Sequence, residues 1–169
     1  SRIKGISFDD LGIHVLAIGG KTKIGLITVI LQHLGMPTFI VWDNDDRSTQ
    51  DNARLNRAYQ RLAGRAEEDL EDMPTGIFER GASLQGNLER VLSEEIGAES
   101  YRRYFERVCA ELGYEPVGDH RKNPDIVATI LELAYADGRA ATTLEAIVDS
   151  IIRMRDAASA GGRPAGLNA

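Results

Sequence analysis

The feature that most constrains this chain is a short apolar run that ends in a cluster of carboxylates. Residues 38–46 read Thr-Phe-Ile-Val-Trp-Asp-Asn-Asp-Asp. The run is too short and too rich in β-branched residues for a helix, so it predicts a buried strand of a parallel sheet. Ligands of open α/β sheets collect outside the carboxyl ends of the strands. Asp43 and Asp45 therefore stand where a hard cation such as Mg²⁺ could bind, although they could also simply cap the next helix.

Around this run, the hydrophobic pattern alternates between strand and helix and then becomes helical. Strands are predicted at residues 13–18, 37–43 and 75–80, and the helices between them at residues 21–34 and 49–62. The later helices are predicted at residues 87–96, 99–112, 124–136 and 142–155. Because consecutive strand-helix-strand units form parallel sheets with right-handed crossovers, we expect an α/β fold. It would have a small parallel sheet flanked by helices and a helical C-terminal half.

Composition narrows the class of protein. The 169 residues are enough for one domain with a sizeable core, and the single cysteine, Cys109, excludes an internal disulfide. Its apolar helical neighbours favour burial over a reactive thiol. There is no signal-peptide pattern and no stretch of about 18 apolar residues, so we expect a soluble cytoplasmic protein.

The charge pattern leaves two interpretations open. A formal net charge of −6 opposes indiscriminate binding of nucleic acid by the whole domain, because attraction to phosphate dominates such binding. A local basic strip is still compatible with that charge. The candidates recur at helical spacing and are Arg54, Arg57, Arg61 and Arg65. The alternative is that these arginines form an ordinary solvated helix face.

A second motif, Gly-Gly-Lys-Thr at residues 19–22, follows a predicted strand and begins a helix. It is not a P-loop, because the first glycine of that motif would have to stand at position 15, where the chain has Val15. We therefore expect no ATP binding here. The two glycines suit either an anion at the helix start or a tight turn.

Two later segments carry further candidate residues. Asn87 and Glu89 begin a helix near the predicted sheet edge of Asp43, yet they could serve only as an N-cap and a first-turn acid. Lys122 precedes another helix start and is, by itself, only a loop cation. The three histidines do not have the spacing of a zinc site.

Taken together, these segments resemble the Toprim domain of the OLD-family (overcoming lysogenization defect) ATP-dependent endonucleases, over residues 5–155. The resemblance rests on their order along the chain: Gly-Gly-Lys-Thr at 19–22, Leu-Gly-Met-Pro at 34–37, Asp-Asn-Asp at 43–45, Asn-Leu-Glu at 87–89 and Lys-Asn-Pro at 122–124. It implies a Toprim (Rossmann-like) domain with a helical insertion over residues 1–156. A flexible tail would follow at residues 157–169.

The resemblance also implies a function. It implies a DNA endonuclease that uses Mg²⁺ or Mn²⁺, in which Asp43, Asp45 and Glu89 match the metal ligands and Lys122 matches the catalytic lysine. Such proteins normally carry an ABC-type ATPase domain, so the chain resembles a C-terminal piece of a longer protein. A homodimer is compatible with this resemblance.

Two positions depart from the family pattern. Toprim domains usually have a glutamate where this chain has Gly19, and many OLD proteins have an acid where it has Lys23. Two alternatives therefore stay open. The chain could be a catalytically degenerate Toprim module that serves dimerisation, DNA positioning or ATPase regulation, or a receiver-like domain with Asp43 as the acceptor. Metal-dependent nicking of plasmid DNA would separate the nuclease from both.

Overall fold

The computed structural model describes residues 5–45 and 49–160. Within these ranges the fold is mixed α/β and mostly helical. The helices are α1 (Lys21–His33), α2 (Gln50–Leu62), α3 (Leu88–Ile96), α4 (Ala98–Leu112), α5 (Pro124–Ala136) and α6 (Thr142–Ala160). The strands are β1 (Ile40–Asp43), β2 (Gly76–Phe78) and β3 (Gly81–Leu84). Short 3-10 helices lie at Glu67–Asp69 and Gly118–Lys122.

The three strands form one small sheet in the order β1-β3-β2. Strands β1 and β3 are parallel, with Asp43 opposite Leu84. Strands β2 and β3 are antiparallel, and they follow each other along the chain as a hairpin. The expected parallel sheet is therefore right for the β1–β3 pair and wrong for the β2–β3 pair, since so short a connection can only reverse the chain direction.

The strand predicted at residues 13–18 is wrong. The segment has no regular secondary structure, and Val15 and Leu16 are 76% and 60% exposed. An apolar run becomes a buried strand only if a neighbouring strand and a covering layer are available to it. Within the described residues no strand pairs with this segment, and Val15 and Leu16 remain uncovered, so its strand-like pattern is not realised.

Strand β3 was not anticipated from the sequence. All four of its residues, 81–84, are buried between the other two strands. Glycine, alanine and serine are poor strand formers on intrinsic preference, so the segment did not stand out from a loop. The prediction at residues 75–80 corresponds to the shorter strand β2.

The helices follow the predicted pattern closely because their ends carry recognisable caps. The side chains of Thr49, Asn87 and Asn123 accept hydrogen bonds from backbone N–H groups at the starts of α2, α3 and α5. At the end of α1, Gly35 has a left-handed φ of 73° and allows the Schellman pair of hydrogen bonds. Helix α6 continues to Ala160, so residues 157–160 of the predicted tail are helical, while residues 161–169 lie outside the described part.

The core has a sheet part and a helical part. On the sheet, Trp42 packs against the rings of Tyr59 and Phe78, with centroids 5.8 and 5.7 Å away. The larger cluster joins α3, α4 and α5 and includes Phe105 and Cys109, and the thiol is buried as expected. In the described ranges, no helix is both long enough and apolar enough to cross a membrane.

Candidate functional site

The D-x-D motif lies at the carboxyl end of β1, at the edge where the sequence places it. Asp43 is the last residue of the strand and is half-buried. Asp45 is exposed and has a left-handed backbone with φ 56°, a conformation that aspartate tolerates better than most residues. The chain therefore turns sharply just after the strand, and both carboxylates stay near its end.

Asn44, between the two aspartates, holds this turn in place. It is only 3% exposed, and its amide donates to the Pro74 carbonyl at 3.0 Å and to the Thr75 hydroxyl at 3.2 Å. Its side-chain oxygen accepts from the Gly86 N–H at 2.8 Å. One side chain thus ties the D-x-D turn to the segment that begins α3.

The link through Gly86 brings the start of α3 to the same edge, and with it Glu89. Burial raises the pKa of Asp43 above its usual 3.8, and the carboxylates of Glu89 and Asp45 raise it further. Like-charged groups act on each other in this way only when they are close. Glu89 and Asp45 therefore lie within electrostatic reach of Asp43.

Two lysines supply opposite charge at this edge. Lys21 and Lys122 both lower the pKa of Asp43, and so partly offset the increase caused by burial and by the two carboxylates. Lys122 is exposed at the end of the 3-10 helix Gly118–Lys122. The residue matched to the catalytic lysine thus lies within electrostatic reach of Asp43.

Lys21 was not singled out by the sequence as a site residue. Its ammonium nitrogen lies 2.8 Å from a carboxylate oxygen of Asp45, and its side chain is only 15% exposed. The Tyr59 hydroxyl donates a hydrogen bond to the Lys21 carbonyl and fixes the start of α1 against α2. Lys23, which stands where many OLD proteins have an acid, is exposed and is not among the charges that act on Asp43.

These residues fit a divalent cation in chemistry but not as a closed cage. Asp43, Asp45 and Glu89 offer only carboxylate oxygens, the ligands that Mg²⁺ prefers. Even so, the described part of the chain contains no group of three or more acidic, histidine or cysteine side chains arranged to hold a metal ion. In addition, the ion pair with Lys21 occupies an oxygen of Asp45.

The arginines of α2 do not extend the site. Arg57 pairs with Asp72 at 2.6 Å, Arg65 pairs with Glu71 at 3.0 Å, and Arg61 pairs with Glu67. All three acidic partners belong to the connector between α2 and β2. Three of the four arginines of the series are therefore satisfied by the protein itself, which agrees with the interpretation as a solvated helix face.

Comparison with protein families bears on the first part of the chain. Residues 1–45 match the family model of the overcoming lysogenization defect protein-like TOPRIM domain. This OLD-like TOPRIM match agrees with the resemblance drawn from the motifs, and it includes Asp43 and Asp45. It ends before Glu89 and Lys122, whose place at the site rests on the structure. No curated protein and no solved structure matches the chain.

Proposed function

We propose that this chain is the nuclease domain of an OLD-like ATP-dependent endonuclease, and that it cleaves phosphodiester bonds of DNA with Mg²⁺ or Mn²⁺. The observation that carries the proposal is the position of Asp43 at the carboxyl end of β1, within electrostatic reach of two further carboxylates and two lysines. Asp45 lies in the same turn, and Glu89, Lys21 and Lys122 come from three other segments. The family match supports a nuclease-related function.

Each side chain has a role in this proposal. Asp43 and Glu89 would hold the cation, and Asp45 would provide a further carboxylate ligand if it left the ammonium group of Lys21. The bound cation would polarise the phosphate and lower the pKa of an attacking water. Lys122 stabilises the negative charge that develops on the phosphate oxygens in the transition state.

Nicking of supercoiled plasmid by the purified chain tests this function. We expect nicking with Mn²⁺, none with a chelator, and a loss of about a hundredfold or more in Asp43→Asn and in Lys122→Gln, typical of a lost charge stabiliser. Asp69→Asn is the matched control, because Asp69 is exposed in the connector after α2. Equal nicking by Asp43→Asn and Asp69→Asn would refute the assignment.

The second candidate is a catalytically degenerate Toprim module, and one observation favours it. Lys21 neutralises Asp45, so a positive charge already stands where the cation would bind. Such a module would bind DNA yet leave plasmid intact at any Mn²⁺ concentration. In either case the ABC-type ATPase domain and the homodimer belong to this proposal, and size measurement of the full-length protein tests the dimer.

A further inference from the structure

A cleft of about 600 Å³ opens beside the candidate site, between α3, α4 and the 3-10 helix Gly118–Lys122. Glu89 and Lys122 belong to both, so the cleft continues directly from the carboxylate cluster. Its charged lining is mainly basic, with Arg90, Arg102, Arg121 and Lys122 against Glu89 and Glu94. A volume of this size can take a group as large as part of a nucleotide.

Part of that basic charge is already neutralised. Arg90 pairs with Glu94 at 2.8 Å, and Arg102 pairs with Glu106 at 3.2 Å. Arg121 instead lies over the ring of Phe105, with its guanidinium carbon 5.4 Å from the ring centroid. Among the side chains that the structure describes, no carboxylate pairs with this guanidinium, which leaves its N–H groups available to an anion.

Tyr101 gives the second, independent indication of a ligand. Its side chain lines the cleft and is only 5% exposed, and its hydroxyl has no hydrogen-bond partner among the described residues. The two charged groups that act on this hydroxyl are Glu89 and Arg121. A buried hydroxyl without a partner is unfavourable, so an acceptor bound in the cleft would satisfy this group.

We propose that this cleft binds a phosphate of the DNA strand next to the one held at Asp43, with Arg121 as its cation and Tyr101 as its hydrogen-bond donor. The wall shared through Glu89 and Lys122 is the reason to assign a polymer rather than a free anion. A strand whose phosphate lies at Asp43 runs past Lys122 into the cleft. This inference rests on the proposed function, but it concerns binding and not cleavage.

Fluorescence anisotropy with a labelled single-stranded DNA oligonucleotide, in chelator so that no cleavage occurs, measures the role of Tyr101. Tyr101→Phe should weaken binding about tenfold, the usual effect of losing one hydrogen bond to a charged group. It should not lower the melting temperature, because the hydroxyl it removes has no partner. Tyr114→Phe is the matched control, since Tyr114 is exposed, stacks on His120 and lies outside the cleft.

The salt dependence of the same binding measures the role of Arg121. For Arg121→Gln, the slope of log affinity against log salt should fall by roughly 0.7, the value for one lost phosphate contact on a single strand. Arg107→Gln, which removes an exposed arginine of α4 paired with Glu111 outside the cleft, should leave the slope unchanged.

A loss of DNA affinity in Tyr101→Phe and a smaller salt slope in Arg121→Gln, with both controls unchanged, would support DNA binding in the cleft. Unchanged affinity in Tyr101→Phe, or equal losses in Arg121→Gln and Arg107→Gln, overturns it. A third result would also overturn it: inorganic phosphate raises the melting temperature of the wild type but not of Tyr101→Phe, while both bind DNA equally well. The site would then bind a free anion. If the chain binds DNA through Tyr101 but never nicks plasmid, the binding site in the cleft is supported and the proposed nuclease function is refuted.

Discussion

Asp43 links stability to function at the scale of one residue. Burial, Glu89 and Asp45 all raise its pKa, so its ionised form is unfavourable in the folded protein. A group whose pKa is raised by folding contributes fully to stability below its pKa in the unfolded state, near 3.8 for Asp43. That contribution is lost as the pH rises through the pKa of the folded state. The ionised Asp43 carboxylate therefore lowers the stability of the wild type at neutral pH.

We predict that Asp43→Asn melts at a higher temperature than the wild type at neutral pH in chelator. This advantage should disappear as the pH falls well below 3.8, where Asp43 is protonated in both the folded and the unfolded state. Mn²⁺ should stabilise the wild type and leave the variant unchanged. Thermal melts by circular dichroism measure both effects, with Asp69→Asn as the control. If the variant melted at a lower temperature than the wild type in chelator, the ionised Asp43 would not be destabilising.

Lys21 provides a second prediction at this scale. Its ammonium group forms an ion pair with the Asp45 carboxylate. It therefore repels a divalent cation and also occupies a carboxylate oxygen that could bind the cation. After screening by solvent and salt, a contribution of about 1 kcal/mol is reasonable, which is several-fold in affinity. Lys21→Met should therefore bind Mn²⁺ several-fold more tightly by calorimetry at neutral pH.

Lys23→Met is the matched control for this measurement, because Lys23 is exposed two residues further along the same helix. It should bind Mn²⁺ as the wild type does. If Lys21→Met bound Mn²⁺ more weakly, or if the two variants behaved alike, the ion pair with Asp45 would not be what limits metal binding.

At the residue scale, the sequence predicted as site residues the groups that carry an obvious chemical pattern. Asp43, Asp45 and Glu89 follow strand ends or begin a helix, and such local signals are visible in one dimension. Lys21 and Asn44 were missed as site residues because their roles depend on contacts with Asp45 and with Pro74, Thr75 and Gly86, which only the fold brings near.

At the scale of elements, the contact between β1 and β3 depends on the absence of a side chain at Gly81. A Cβ added there would lie 2.9 Å from both the Cγ1 and the carbonyl oxygen of Ile40 and 3.0 Å from the Cβ of Ala63. Because a backbone oxygen cannot move aside easily, the two strands would have to separate. That movement would displace Asp43, which lies at the other end of β1.

We predict that Gly81→Ala lowers the free energy of unfolding in urea by about 1–3 kcal/mol, the usual cost of overpacking a buried site. Gly118→Ala is the control, because no atom lies within 4 Å of the Cβ it would add. That variant should stay within about 0.5 kcal/mol of the wild type. Equal stability of both variants would show that β1 and β3 tolerate separation.

The elements also show where prediction from sequence succeeds. Helices α2, α3 and α5 were located to within a residue or two, because periodicity and the caps Thr49, Asn87 and Asn123 give the same answer. Strand identity depends on partners instead. Residues 13–18 have the pattern of a strand without a partner, whereas β3 has partners on both sides without the pattern.

For the whole molecule, the distribution of charge matters more than its sum. A net charge of −6 should repel DNA, so any attraction must be local. Two exposed arginines of α2, Arg57 and Arg61, are neutralised by the acidic connector, whereas Arg121 and Lys122 stand beside the carboxylate cluster. DNA should therefore approach the face formed by α3, α4 and the 3-10 helix, and not the outer face of α2.

We predict that the double variant Arg57→Gln with Arg61→Gln binds single-stranded DNA within about twofold of the wild type. Charges beyond about 10 Å are largely screened at 0.1 M salt, and these two arginines already have carboxylate partners, Asp72 and Glu67. Anisotropy against Arg121→Gln, which removes only one charge, provides the comparison. If the double variant lost more affinity than Arg121→Gln, the α2 arginines would form the DNA-binding face, and the ion pairs with the connector would open when DNA binds.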